Sequence, residues 1–161
     1  SRAVVPHTFK LGAQASTEKI MTKQVTVTWQ GERRFIADDH HDGYAAIGAP
    51  NPAGNGMGAS HLLLAALGGC VGTTVIGVLE KKRQDVTAFE IEITGEHLPD
   101  WPKTFTSIHI IYRVTGNDVQ PAAVERAAEL AGTRYCTVST SIAAPITESI
   151  ELINLAEAVP A

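Results

Sequence analysis

The segment Leu62 to Leu79, LLLAALGGCVGTTVIGVL, carries no charged side chain and gives way abruptly to Glu80-Lys81-Lys82-Arg83. No other part of the chain limits the fold as strongly. A run of this length could cross a bilayer, where about 20 apolar residues suffice. It also reads as the central helix of a domain, because a helix that is apolar all round must be buried all round. Its composition favours the second reading. Gly68, Gly69, Gly72 and Gly77 interrupt it, Thr73 and Thr74 lie within it, His61 abuts it, and no aromatic belt flanks it. Ser60 stands where an N-cap would, and the helix is expected to run to about Arg83.

The remaining chain supplies what such a helix can pack against. KQVTVTWQ (23–30) alternates Val25, Val27 and Trp29 with Thr26, Thr28 and Gln30, which is strand spacing. A turn at Gln30-Gly31-Glu32 would bring back a strand carrying Arg33, Arg34 and Phe35. HHDG (40–43) and GAPNPAGNGMG (48–58) read as loops. VTAFEIEITGEH (86–97) and FTSIHIIYRVTG (105–116) alternate again around the turn PDWPK, and TESIELINL (147–155) is a final strand. Between them lie two helices. Pro121 opens the first, whose stripe is Val124, Ala127, Ala128 and Ala131; Thr133 could cap the second, RYCTVSTSIAA, which Pro145 ends. The order hairpin, helix, hairpin, two helices, strand indicates an α+β domain of antiparallel sheets around a long apolar central helix. It occupies residues 23–155, after an extension at 1–22 expected to be partly disordered and before a tail at 156–161.

Charge and cysteine content remove several functions. With a formal net charge of −4 and no basic stripe, nucleic acid and anionic membranes are poor partners. SRAVVPHTFKLGAQASTEK has no apolar signal region, so a cytoplasmic protein with reduced thiols is expected. DDHHDG (38–43) lacks the ligand spacing of a zinc site, and GNGMG (54–58) lacks the lysine and strand of a phosphate loop. No cofactor and no metal are called for.

The two cysteines are where chemistry concentrates. Cys70 shares a helix face with Leu63, Leu67, Thr74 and Val78, a setting in which cysteine most often acts as a small apolar residue. Cys136 falls three residues after the expected Thr133 cap, where first-turn N–H groups and the helix dipole favour a thiolate. One buried thiol and one at a helix start would suit a nucleophile and a resolving partner. Spacing alone does not establish that they meet.

SHLLLAALGGCVGTTVIGVLEKKRQDV and NDVQPAAVERAAELAGTRYCTV resemble the two cysteine segments of the OsmC/Ohr family of thiol-dependent hydroperoxide reductases. RYC and KKRQDV…FEIEITGE are closer to its OsmC-like branch, and the likeness spans residues 23 to 153. The resemblance implies an intertwined homodimer with sites at the subunit interface. It also implies that Cys70 attacks a hydroperoxide and Cys136 resolves it, with a dithiol, small or protein-bound lipoyl, as reductant. Arg33 or Arg34, on the first hairpin, would hold Cys70 as thiolate, and only one of these strand neighbours can face inward. The family's peroxidase branches carry a glutamate ten residues before the first cysteine, and here that place holds Ser60. His61 follows and could substitute by hydrogen bonding or proton transfer. Thr137 replaces the usual proline after the second cysteine. A non-catalytic domain binding a small apolar molecule on the same scaffold is the alternative, and a purely structural disulfide a third reading.

Overall fold

The computed structural model describes residues 21–48 and 56–155. Apart from residues 21 and 22, the expected N-terminal extension lies outside them. So do the tail at 156–161 and residues 49–55 of the expected loop.

The described chain forms two three-stranded sheets. The first contains β1 (Thr26–Trp29), β2 (Arg34–Asp38) and β3 (Tyr44–Gly48), ordered β1-β2-β3 and antiparallel throughout. The expected turn is present: Gly31 and Glu32 both adopt positive φ, 91° and 52°. β3 was not anticipated. Tyr44–Gly48 is short and lies between two polar loops, so alternation alone could not declare it; pairing with β2 makes it a strand. The connecting DDHHDG stretch is held by Asp39, whose Oδ1 accepts the His41 and Gly43 N–H groups at 2.7 and 2.9 Å. These bonds hold the Asp39 carboxyl below its ordinary pKa.

The second sheet consists of β4 (Asp85–His97), β5 (Phe105–Asn117) and β6 (Ile146–Asn154), with β5 in the centre. β4 and β5 form the expected hairpin. A bulge between Val86 and Ala88 shifts the register by one residue, so that Val86 and the series Phe89, Ile91, Ile93 all pack on the core side. β6 corrects the expectation of purely antiparallel sheets: it pairs parallel to β5. The segment from Pro121 to Ser141 is a helical crossover, and a crossover is what a parallel return requires.

Both helical layers lie on one face of this sheet. α1 (Ala59–Lys81) is the long apolar helix. Its cap is Gly58 rather than Ser60, with no side-chain capping bond, and it closes at Lys82 before Arg83 turns to φ +55°. Leu67, Val71, Val75 and Leu79, spaced four apart, are fully buried against Ile108, Ile110, Tyr112 and Val114 of β5. α1 is therefore the core helix of the domain. Its threonines satisfy their hydroxyls on the preceding turn, Thr73 to Gly69 O and Thr74 to Cys70 O. Its glycines have a packing reason too. A Cβ on Gly72 would stand 2.7 Å from Ile91 Cδ1 and one on Gly68 3.0 Å from Ile93 Cδ1, so small residues bring α1 close to β4.

α2 (Pro121–Leu130) starts on Pro121 as expected and buries Ala123, Val124, Ala127 and Ala128. A π-helical turn, Ala131–Tyr135, follows without a break. α3 (Thr137–Ser141) is a single short turn of helix.

Two substitutions test this packing. Leu67→Ala should cost about 2–5 kcal/mol, the range for truncating a fully buried leucine. Gly116→Ala should cost about 1–3 kcal/mol, because the added methyl would collide with the Asp85 carbonyl oxygen and with Val119 Cγ2. Urea denaturation followed by circular dichroism measures both; stability unchanged in Leu67→Ala would contradict the assigned core.

Candidate active site

The π-helical turn decides where the second cysteine goes. Inserting one residue per turn lets the Cys136 N–H reach back to Ala131 O at 3.2 Å, and the chain then leaves the helix with Cys136 extended, φ −91° and ψ 105°. Thr133, expected to cap the next helix, instead lies inside this turn, its hydroxyl donating to Glu129 O at 2.6 Å. Cys136 is itself the cap of α3. Its Sγ accepts the Ser139 N–H at 3.2 Å, as an oxygen would in an ordinary N-cap.

α3 packs against α1, and this contact brings Cys136 beside Cys70. Both cysteines are free thiols. Burial is the reverse of that expected: Cys136 is 1% exposed, whereas Cys70 is only partly covered. Burial pushes the Cys70 thiol up, and so does the neighbouring Cys136; the N–H groups of Val138 and Thr137 oppose this less strongly, and the net direction is upward. Burial also works against a Cys136 thiolate. There the hydrogen bonds from Cys70, from the Ser139 N–H and hydroxyl, and from the Val138 N–H together outweigh it, so Cys136 lies below an ordinary thiol. Within one chain Cys136 is the thiol of the pair that ionises more readily.

The other anticipated residues do not join the pair within one chain. Arg33 lies in the β1–β2 turn and Arg34 opens β2, where its Nε is 3.9 Å from Glu32 with both side chains exposed. Burial, Cys136 and backbone N–H groups are the main influences on Cys70, and no guanidinium is among them. His61 sits in the first turn of α1. Nine residues separate it from Cys70, which places the two on opposite sides of the helix. It borders a groove of about 1000 Å³ between α1 and β4, shared with Leu64, Gly68, Gly72, Ile91 and Ile93. Ser60 is exposed on the same first turn and brings no charge.

Three residues of the site were not anticipated. Ser139 is one. The others are Tyr112 and Glu148: the Tyr112 hydroxyl donates to Glu148 Oε1 at 2.9 Å, inside the sheet face that carries α2 and α3. Glu148 could have been suspected from its phase, because it alternates with Ile146, Ile150 and Leu152 on the inward face of β6. Burial raises the Glu148 carboxyl above its ordinary value. Burial, Glu148 and the Cys136 charge raise the Tyr112 phenol.

The OsmC-like protein family model matches residues 52–151. The chain belongs to this family. Protein YhfA of Escherichia coli (strain K12) is 37% identical over 138 residues, covering 81% of this chain and 98% of that protein. A hypothetical protein from Aquifex aeolicus VF5 has a crystal structure matching with a TM-score of 0.70 at 27% identity, over 83% of this chain and 98% of that one. The fold is also that of the organic hydroperoxide resistance protein OhrB of Bacillus subtilis. That match has a TM-score of 0.53 at 21% identity, over 82% of this chain and 98% of that one.

The balance at Cys136 can be tested through Ser139. Ser139→Ala frees the Cys136 and Gly132 carbonyls that the hydroxyl ties, loosening the turn that aims the Ser139 N–H at Sγ, and should move the Cys136 thiol pKa upward. The pH dependence of Cys136 alkylation by iodoacetamide, with Cys70 replaced by serine, measures it; a value unmoved or lowered would contradict the assigned hydrogen bonds.

Proposed function

We propose that this OsmC-like protein is a thiol-dependent peroxidase that reduces organic hydroperoxides through Cys70 and Cys136. The observation that carries this reading is the pairing of two free thiols on different elements, one accessible and one buried in a nest of N–H donors. Access favours Cys70 as the sulfur that meets the peroxide. Its thiolate attacks one peroxide oxygen, the O–O bond breaks, the alcohol leaves with a proton, and Cys70 becomes a sulfenic acid. Cys136 then displaces water from that sulfur to form a disulfide, which a dithiol reduces. A cytoplasmic location, with a small or lipoyl-type dithiol, suits such a cycle.

No cation among the described residues acts on Cys70, and we assign that role to a second copy. The β1–β3 sheet has an apolar face on which register aligns Trp29 with Phe35 and Ile47, and Val27 with Ala37 and Ala45. Trp29 and Val27 are 63% and 53% exposed there. The α1–β4 groove is the complementary apolar surface, and a Cβ on Gly69 or Gly77 of α1 would meet nothing within 4 Å among the described residues. A homodimer in which each hairpin covers the other subunit's α1 would bury both faces. It would also carry Arg33 or Arg34 toward Cys70, where a guanidinium favours the thiolate and polarises the O–O bond.

The second reading is a non-catalytic domain that holds a small apolar molecule in the groove. It is favoured by Ser60 in place of the family glutamate and by the raised Cys70 thiol. The intact protein in solution separates the two. Under the peroxidase reading, cumene hydroperoxide is consumed with dithiothreitol present, Cys70→Ser lowers the rate at least 100-fold or so, and the Cys70 thiolate forms below the ordinary thiol range. Normal turnover in Cys70→Ser would overturn it. Trp29→Asp should weaken self-association in analytical ultracentrifugation and lower peroxidase activity together; a fully active monomer would remove the second subunit from the site.

A further inference from the structure

A second cavity, of about 500 Å³, is bordered by Gly132, Thr133, Ser139, Ala144, Ile146 and Glu148. Two of its walls belong to the thiol site. Ser139 holds Cys136 through its N–H, and its hydroxyl bonds Cys136 O and Gly132 O at 2.9 and 3.1 Å. Opposite stands Glu148. The residue is exposed along the cavity rim, but one carboxyl oxygen is turned inward to the fully buried Tyr112. Gly132 makes room for it: a Cβ there would stand 2.8 Å from Glu148 Oε1. The cavity is part polar, at Thr133, Ser139 and Glu148, and large enough for water to join the hydroxyl of Ser139 to the carboxyl.

We propose that Glu148, oriented by Tyr112, is the positioning residue that takes up and returns the proton of Cys136 through the Ser139 side of this cavity. The groups turned toward this spot are few. β5 contributes Tyr112, the start of α3 contributes Cys136, and α1 contributes Cys70 beyond it. The π-helical turn adds uncharged Gly132 and Thr133, and β6 flanks Glu148 with Ile146 and Ile150. No cation is among the groups acting on Glu148. Tyr112 is the group that joins them: its hydroxyl bonds Glu148, and it is raised by the charges of both Glu148 and Cys136. The raised carboxyl and the lowered thiol place their titrations nearer one another than free groups would be.

This role rests on the thiol chemistry proposed above and completes its proton balance. When Cys136 attacks the sulfenic acid at Cys70, its proton passes to the Glu148 carboxylate. It then reaches the departing hydroxide, which leaves as water while the S–S bond forms. When a dithiol reduces that disulfide, the reagent's thiolate bonds to Cys70 sulfur. The S–S electron pair goes to Cys136, which takes from Glu148 the proton that the reagent's first thiol gave up to that carboxylate on ionising. The reagent's second thiol then displaces Cys70 and passes its proton to it, and the reagent leaves oxidised.

The test follows iodoacetamide alkylation of Cys136 against pH in a Cys70→Ser background, where only one thiol reports. The parent should show two steps, one belonging to the carboxyl. Glu148→Gln keeps an oxygen acceptor for Tyr112, should remove the lower step, and should speed alkylation at neutral pH roughly three- to tenfold by deleting the opposing charge. Tyr112→Phe removes the donor to the carboxylate and should move the lower step to higher pH. An identical profile with and without Glu148, in a variant whose thermal melt shows it folded, overturns the proposal. Failure of Cys70 to react with a hydroperoxide would sink the peroxidase reading instead, and the alkylation profile would still decide the role of Glu148.

Discussion

The constraint on which the structure depends is the uncharged helix α1. An apolar helix presents more than one face that must leave water, and a single sheet can cover only one of them. β5 and α2 take the line from Leu67 to Leu79. β4 takes a second line through Gly68 and Gly72, where small residues let the strand come near. A third remains, bordering the α1–β4 groove. The fold is thus built outward from one helix, and its unfinished face is a direct consequence of a sequence with no polar stripe to offer solvent.

That same apolar setting governs the thiols. A sulfur anion inside it is opposed by desolvation at either cysteine, and burial is the largest influence on both. The difference between them comes from backbone geometry. The π-helical turn and the abrupt start of α3 point N–H groups toward Cys136, and the Ser139 hydroxyl fixes that turn through the Gly132 and Cys136 carbonyls. Cys70, in the middle of a helix whose own N–H groups are already bonded, receives less. Neutral donors therefore make the buried sulfur the easier one to ionise, and the accessible one the harder. In the proposed reaction this order has to be reversed when substrate arrives, and a guanidinium of the first hairpin is the group proposed to do it.

Much of this was legible beforehand, and what was missed has physical causes. Long alternating strands such as 86–97 and 105–116 announce themselves, and so does a helix opened by Pro121. Tyr44–Gly48 did not, because five residues between loops carry too little periodicity. The parallel return of β6 is a property of the crossover, invisible in the strand's own pattern. Thr133 was read as a cap because threonine often is one; the π-turn moved the helix start three residues on and gave the cap to a sulfur. The meeting of Cys70 and Cys136 was inferred from resemblance and is delivered by the contact of α3 with α1. Glu148 carried a signal, an acid in phase with Ile146 and Ile150, but its partner Tyr112 is 36 residues away and only the sheet joins them.

The Tyr112–Glu148 pair also shows how an exposed acid serves a buried phenol. Tyr112 is fully buried and its hydroxyl needs an acceptor, since an unpaired one would cost about 1–3 kcal/mol. Structure alone would be satisfied by a glutamine, which offers the same acceptor without a charge that burial penalises. Glu148 stands at the cavity rim, where that penalty is partial. In the proposed cycle the charge has a use that an amide could not serve, because a carboxyl can take up a proton and return it.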